Sequence, residues 1–265
     1  MIAKRAMRSV AAVLFCASAA ALAFNTAAVA DEGAAAVDTV LILAVDVSNS
    51  VDDTRYRLQM EGIALALEDS GVIAAITGGG RGGIALSLVT WADHAKLVLP
   101  WRLIRSGEEA RAVAAEVRRV PQTTGEYTCV SRMFEMIRES IVPGIPVQAD
   151  RIVLDVSGDG IDNCGQPGES AAERDLIVAA GVTVNGLPII VKGENDVVGS
   201  GAYRAPGYGL KELPKGPDSA TTTLDAWYGE HVVGGPAGFM HKANGFEDFG
   251  RAFRQKFVSE ISALE

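Results

Sequence analysis

The chain has 265 residues, 48% hydrophobic and 22% charged, with a net charge of −9. That acidity argues against nucleic acid and anionic membrane surfaces as partners, and it suits a cation or a basic protein instead. The length fits one α/β domain behind an export segment better than two domains.

In chain order, Lys4, Arg5 and Arg8 precede an apolar run from Ser9 to Phe24 and the small residues Ala27-Ala28-Val29-Ala30. This is the layout of a secretory signal peptide over residues 1–30. Cleavage there would leave 235 residues, remove three positive charges and take the net charge from −9 to −12. Asn25 interrupts the apolar run and no second long one follows, so no membrane span is expected after cleavage. Phe15 in front of Cys16 argues against a lipoprotein. The expected location is the periplasm or the exterior. There the two remaining cysteines, Cys129 and Cys164, are either paired or two separate buried thiols.

Val40 to Val45 is a continuous apolar run ending in Asp46, which predicts a central strand buried on both faces. A helix follows, with Asp52 or Asp53 near its start and Met60, Ile63, Ala64 and Leu67 on its apolar face. Gly78 to Gly83 reads as a loop. Ile84 to Thr90 and Lys96 to Trp101, joined by a turn at Ala92-Asp93-His94, predict an antiparallel hairpin at the sheet edge. Helices are expected over Gly107 to Val120, with Glu108 and Glu109 in the first turn, and over Cys129 to Ile141, stopped by Pro143 and Gly144. A strand over Arg151 to Val156 runs into the polar loop Ser157-Gly158-Asp159-Gly160. A helix over Glu169 to Ala180 and a strand over Val182 to Val191 come next. Lys192 to Pro217 reads as an extended surface loop. Trp227, Tyr228 and the glycine-rich Val233-Gly234-Gly235-Pro236 suggest a packed last strand and turn, with a partner surface as the alternative. Phe246, Phe249, Phe253, Phe257 and Ile261 form one stripe of a closing amphipathic helix. The alternation predicts a doubly wound, mostly parallel sheet with one antiparallel edge strand and helices on both faces.

Ligands of open α/β sheets bind in the crevice at the carboxyl ends of adjacent strands. Two buried strands end in acidic, hydroxyl-rich segments, Asp46-Val47-Ser48-Asn49-Ser50 and Ser157-Gly158-Asp159. Alternate positions of an extended loop project to one side, so Asp46, Ser48 and Ser50 can converge while Val47 and Asn49 point away. One carboxylate and two hydroxyls are hard oxygen ligands that suit Mg²⁺, with Mn²⁺ and Ca²⁺ as alternatives. The competing explanation is that Ser48, Asn49 or Ser50 caps the next helix.

These residues carry a resemblance. D-x-S-x-S after the first strand, a later loop threonine and an aspartate after a later strand resemble the metal-ion-dependent adhesion site of von Willebrand factor A and integrin I domains. The chain looks most like an uncharacterised family of exported bacterial proteins with that fold. The match lies in Ala44-Val45-Asp46-Val47-Ser48-Asn49-Ser50, Val156-Ser157-Gly158-Asp159-Gly160 and Val233-Gly234-Gly235-Pro236. The resemblance spans roughly Asp38 to Ile261, as one von Willebrand factor A-like domain over residues 31–265. It implies that Ser48 and Ser50 ligate a divalent metal, that Asp46 and Asp159 bind it directly or through water, and that Thr128 supplies the middle ligand, with Thr124 as the alternative. Ser157-Gly158-Asp159-Gly160 stands where many relatives have T-D-G. The resemblance also places Cys129 and Cys164 on the rim of the same crevice and implies a Cys129–Cys164 disulfide.

The function so implied is a non-enzymatic binding module in which a protein partner's carboxylate completes the metal's coordination. An enzymatic alternative is metal-assisted hydrolysis or phosphoryl transfer in the same crevice. Asp46 resembles the nucleophile of haloacid-dehalogenase-type phosphatases, but their second aspartate, two residues on, is here Ser48. No G-x-S-x-G, P-loop or H-E-x-x-H motif is present, and His94, His231 and His241 are scattered. A third reading is a structural subunit of an envelope complex whose metal site is vestigial.

Overall fold

The computed structural model of the protein describes residues 36–199 and 221–262. The signal-peptide segment, and residues 200–217 of the expected surface loop, lie outside the described residues.

Strand β1 (Ala36–Asp46) is the centre of a five-stranded sheet of order β3-β2-β1-β4-β5. Its neighbours β2 (Ile84–Trp91) and β4 (Gln148–Gly158) both run parallel to it, and β5 (Val182–Pro188) is parallel to β4. The edge strand β3 (Ala95–Ile104) is the one antiparallel member. The doubly wound sheet with an antiparallel edge is therefore as expected. β1 is apolar from Val40 to Val45 because helices cover both of its faces. Leu41, Leu43 and Val45 pack with α1 (Asp53–Glu68), α2 (Ser70–Thr77), α3 (Gly107–Val117) and α7 (Phe249–Ser262). Val40, Ile42 and Ala44 pack with α4 (Val130–Met136), α5 (Glu169–Ala179) and α6 (Leu224–His231).

Met60, Ile63, Ala64 and Leu67 are buried along α1, and Phe249, Phe253, Phe257 and Ile261 along α7, with Phe246 in the 3₁₀ turn before it. The two helices come close at Gly62 and Gly250: a Cβ on Gly62 would lie 2.8 Å from the Gly250 Cα. α4 continues through a π-turn (Ile137–Ile141) into a 3₁₀ turn (Val142–Gly144) containing Pro143.

α2 follows α1 directly, because the Asp69 carboxylate accepts hydrogen bonds from the Gly71 and Val72 amides and starts a new helix. Two expectations need correcting. Trp227 and Tyr228 lie on helix α6 rather than a strand: Thr223 caps it, and both rings pack against the sheet. The segment after Lys192 is not all loop, since β6 (Val197–Gly199) pairs antiparallel with β7 (Thr221–Thr223).

Candidate metal centre

β1 hands the chain to α1 and β2 on one side, while β4, reached after the chain recrosses the sheet, adjoins β1 on the other. The crevice between the β1 and β4 carboxyl ends is thus the topological switch point where such sheets bind ligands. Val45 pairs with Ser157, which brings Asp46 level with Gly158 and Asp159 just beyond.

The loop after β1 turns as the alternation predicts. Val47 is buried in the α1-side core and Asn49 is exposed, while Asp46 and Ser48 are buried and Ser50 half-buried. The Ser48 and Ser50 hydroxyl oxygens are 3.3 Å apart, and the Ser50 hydroxyl donates to Asp159 Oδ1 at 2.6 Å. The Ser48 amide donates to Asp46 Oδ1 at 2.8 Å, so that oxygen is partnered while Asp46 Oδ2 is buried with no partner. Helix capping does not account for these serines. Asp52 is the N-cap of α1, accepting from the Thr54 and Arg55 amides at 2.9 and 2.8 Å.

Thr128 is buried beside the β4 loop: a Cβ on Gly160 would lie 3.2 Å from its hydroxyl oxygen. Its amide donates to the Asn163 side chain at 2.8 Å and its carbonyl accepts from the Asn163 amide at 3.0 Å. Thr124 is exposed and Thr123 shares a hydrogen bond with Thr90. Of the three threonines, Thr128 is the one packed against the Asp159 loop.

Cys129 and Cys164 form a disulfide across the same junction. Two neighbours escaped the sequence reading. Asp162 accepts from the Ser131, Cys164 and Gly165 amides at 2.7, 3.0 and 2.8 Å, and these bonds lower its pKa despite burial. Asn195 donates to the Asp159 carbonyl at 2.6 Å, pinning the segment after β5 to the crevice. The pattern S-G-D-G also finds a physical reason. A Cβ on Gly158 would lie 2.7 Å from the Tyr228 hydroxyl and 2.8 Å from Asp46 Oδ2, so the α6 tyrosine leaves room only for glycine.

Burial pushes the Asp46 carboxyl up to about 8, and the charge of Asp159 adds to the rise. Burial raises Asp159 too, partly offset by the Ser50 hydrogen bond and by Arg55, whose Nη1 is 3.8 Å from Asp159 Oδ2. Two buried carboxylates with so little compensating charge are costly unless protonated or matched by a cation. Among the described residues, no group of three or more His, Cys, Asp or Glu side chains is placed to hold a metal. The present set is instead two carboxylates and three hydroxyls, all hard oxygens, with one carboxylate oxygen unpartnered. That set fits a hard divalent cation that keeps part of its water shell. His231 is stacked on Trp227 at 4.8 Å and His241 is edge-on to Phe239 at 5.5 Å.

Comparison with curated proteins gave no match. Solved structures agree on the fold. Proximal thread matrix protein 1 from the mussel byssus superposes with a TM-score of 0.58 at 13% identity, covering 87% of this chain and 48% of that one. The same mussel protein with a zinc-occupied MIDAS motif gives 0.54 at 15% identity, covering 86% and 47%. A von Willebrand factor type A protein from Catenulispora acidiphila gives 0.53 at 16% identity, covering 85% and 43%. The chain thus spans about half the length of these proteins. Residues 36–265 match the profile of a protein family of unknown function, DUF1194, so the chain belongs to that family and carries the von Willebrand factor A fold.

Proposed function

We propose that this von Willebrand factor A-type module is a non-enzymatic, exported binding protein that holds a divalent cation, Mg²⁺ foremost, and uses it to engage a protein partner. Asp46, Ser48, Ser50, Thr128 and Asp159 are the ligands, directly or through water, and the metal's open position takes a carboxylate from the partner. The observation that carries this reading is the buried Asp46 carboxylate. Its Oδ2 is unpartnered, its pKa is raised, and it stands beside Asp159 and two hydroxyls on the adjoining loop. In the mussel protein a MIDAS motif holds zinc, which supports a divalent ion here without choosing among Mg²⁺, Mn²⁺ and Ca²⁺. No helix among the described residues is long and apolar enough to cross a membrane. Export rests on the signal-like segment 1–30 and agrees with the disulfide.

Calorimetric titration with Mg²⁺ and Mn²⁺ tests the metal: wild type is expected to bind one ion and Asp46→Ala none, and equal titration of the two would overturn the assignment. A pull-down from envelope extract tests the partner. Capture should need Mg²⁺, vanish with chelator and vanish in Asp46→Ala.

A further inference from the structure

Arg55 is the unexplained charge at the crevice. It rises from the first turn of α1, where its Nη1 donates to the Ser50 carbonyl at 3.0 Å, on the loop that carries three of the five proposed ligands. The same nitrogen is 3.8 Å from Asp159 Oδ2, and Nη2 donates to Glu194 Oε2 at 2.7 Å. The guanidinium lies 5.0 Å from the centre of the Phe246 ring, which holds its plane. A fixed cation this close to a cation site weakens metal binding by repulsion unless an anion lies between the two charges. Glu194 supplies an anion to Arg55 from within the chain. It sits next to Asn195, whose side chain ties this segment to the Asp159 carbonyl. Both partners are reachable, with the Arg55 side chain 22% exposed and that of Glu194 32% exposed.

We propose that Arg55 is the specificity residue of the site: it binds one oxygen of an incoming carboxylate whose other oxygen completes the metal's coordination, and it releases Glu194 to do so. This rests on the metal-site reading above. The planar guanidinium fork matches a carboxylate, and a bridging anion turns repulsion between the two cations into joint attraction for one ligand. The site then selects acidic side chains over neutral oxygen donors, and Glu194 acts as a built-in competitor that sets the threshold a partner must exceed.

The test uses the full chain loaded with Mn²⁺ and titrated with acetate, binding being read from paramagnetic broadening of the acetate NMR signal. Arg55→Gln is expected to bind acetate about tenfold more weakly, the loss of one charge-assisted hydrogen bond, while holding Mn²⁺ as tightly as wild type or more so. Arg55→Lys, which keeps the charge without the fork, should fall between the two. Glu194→Gln should bind acetate more tightly than wild type. Unchanged acetate affinity in Arg55→Gln with Mn²⁺ still bound would overturn the role of Arg55 and leave the metal site standing. Unchanged affinity in Glu194→Gln would overturn the competition, and a wild type that binds no Mn²⁺ would overturn both readings.

Discussion

Two pairs of buried carboxylates lie on or beside β4, and they differ in the cation that faces them. At mid-strand, on the α7 side of the sheet, Asp155 faces Lys256 at 2.5 Å, and Lys256 also meets Glu260 one helical turn on. Asn185 donates to Glu260 Oε1 at 2.7 Å, and Arg151 donates to the Glu260 carbonyl and to the Thr39 hydroxyl. This cluster carries its own cation, a fully buried lysine, although Asp155 Oδ2 and Glu260 Oε2 accept no hydrogen bond. Just past the carboxyl end of β4, Asp159 and, at the end of the adjoining β1, Asp46 are buried too, yet Asp46 has no cation paired with it among the described residues. The first arrangement supplies its cation from within the fold. The second has no lysine of its own at the rim of the sheet, and this difference is what makes it the candidate for a bound cation.

The contrast can be broken most forcefully at Lys256. Lys256→Met leaves Asp155 and Glu260 without their cation and is expected to cost about 3–5 kcal/mol, the usual penalty for a stranded buried charge, read from urea unfolding at neutral pH. The disulfide comes next. Replacing Cys129 and Cys164 by serine frees a 35-residue separation and is expected to cost about 2–4 kcal/mol. Because the bridge joins the Thr128 and Asp159 loops, this variant should also bind Mn²⁺ more weakly, while the Lys256 cluster, held by α7, is unaffected. Smaller still is the effect of the metal. Mg²⁺ at a hundred times its dissociation constant should stabilise wild type by about 2.7 kcal/mol, visible as a rise in Tm. Asp46→Asn should abolish that rise and leave the metal-free protein about as stable as wild type near neutral pH, since burial keeps the Asp46 carboxyl largely protonated there.

The gentlest probe is pH. Asp46 at about 8 and Asp155 at about 7 both lie above the ordinary carboxyl value of 3.8. Burial is the main cause for each, and Asp159 and Glu260 respectively add to it. Between these limits the folded chain keeps protons that the unfolded chain has lost, so stability falls as pH rises through that window. The expected slope in chelator is on the order of 1 kcal/mol per pH unit between pH 5 and 7, measured by denaturation at each pH. Saturating Mg²⁺ should remove the Asp46 share and leave the Asp155 share.

Periodicity was enough to read the sheet and most of its helices, because a strand buried on both faces must be apolar throughout and a covering helix must carry a stripe. Those demands act residue by residue and are written locally. The same locality explains why periodicity does not mark α2, which depends on a single capping aspartate, and why α6 reads as a strand, since two aromatic rings resemble one until tertiary packing turns them onto the sheet.

At the site, Asp46-Val47-Ser48-Asn49-Ser50 and Asp159 were legible because alternation at a strand end projects side chains to one side whatever surrounds them. The family resemblance selects Thr128 over Thr124, and the fold packs it beside the Gly160 turn; the clamp of Asp162 and Asn195, the room that Tyr228 leaves only for Gly158, and the Arg55–Glu194 pair were decided by the fold alone. Each joins segments whose proximity depends on which strands are neighbours. Burial sets charge states in the same way: Asp155 lies on β4 and Asp159 four residues on, just past its end, and only the presence of Lys256 beside the first and of the crevice beside the second makes one a buttress and the other a candidate ligand.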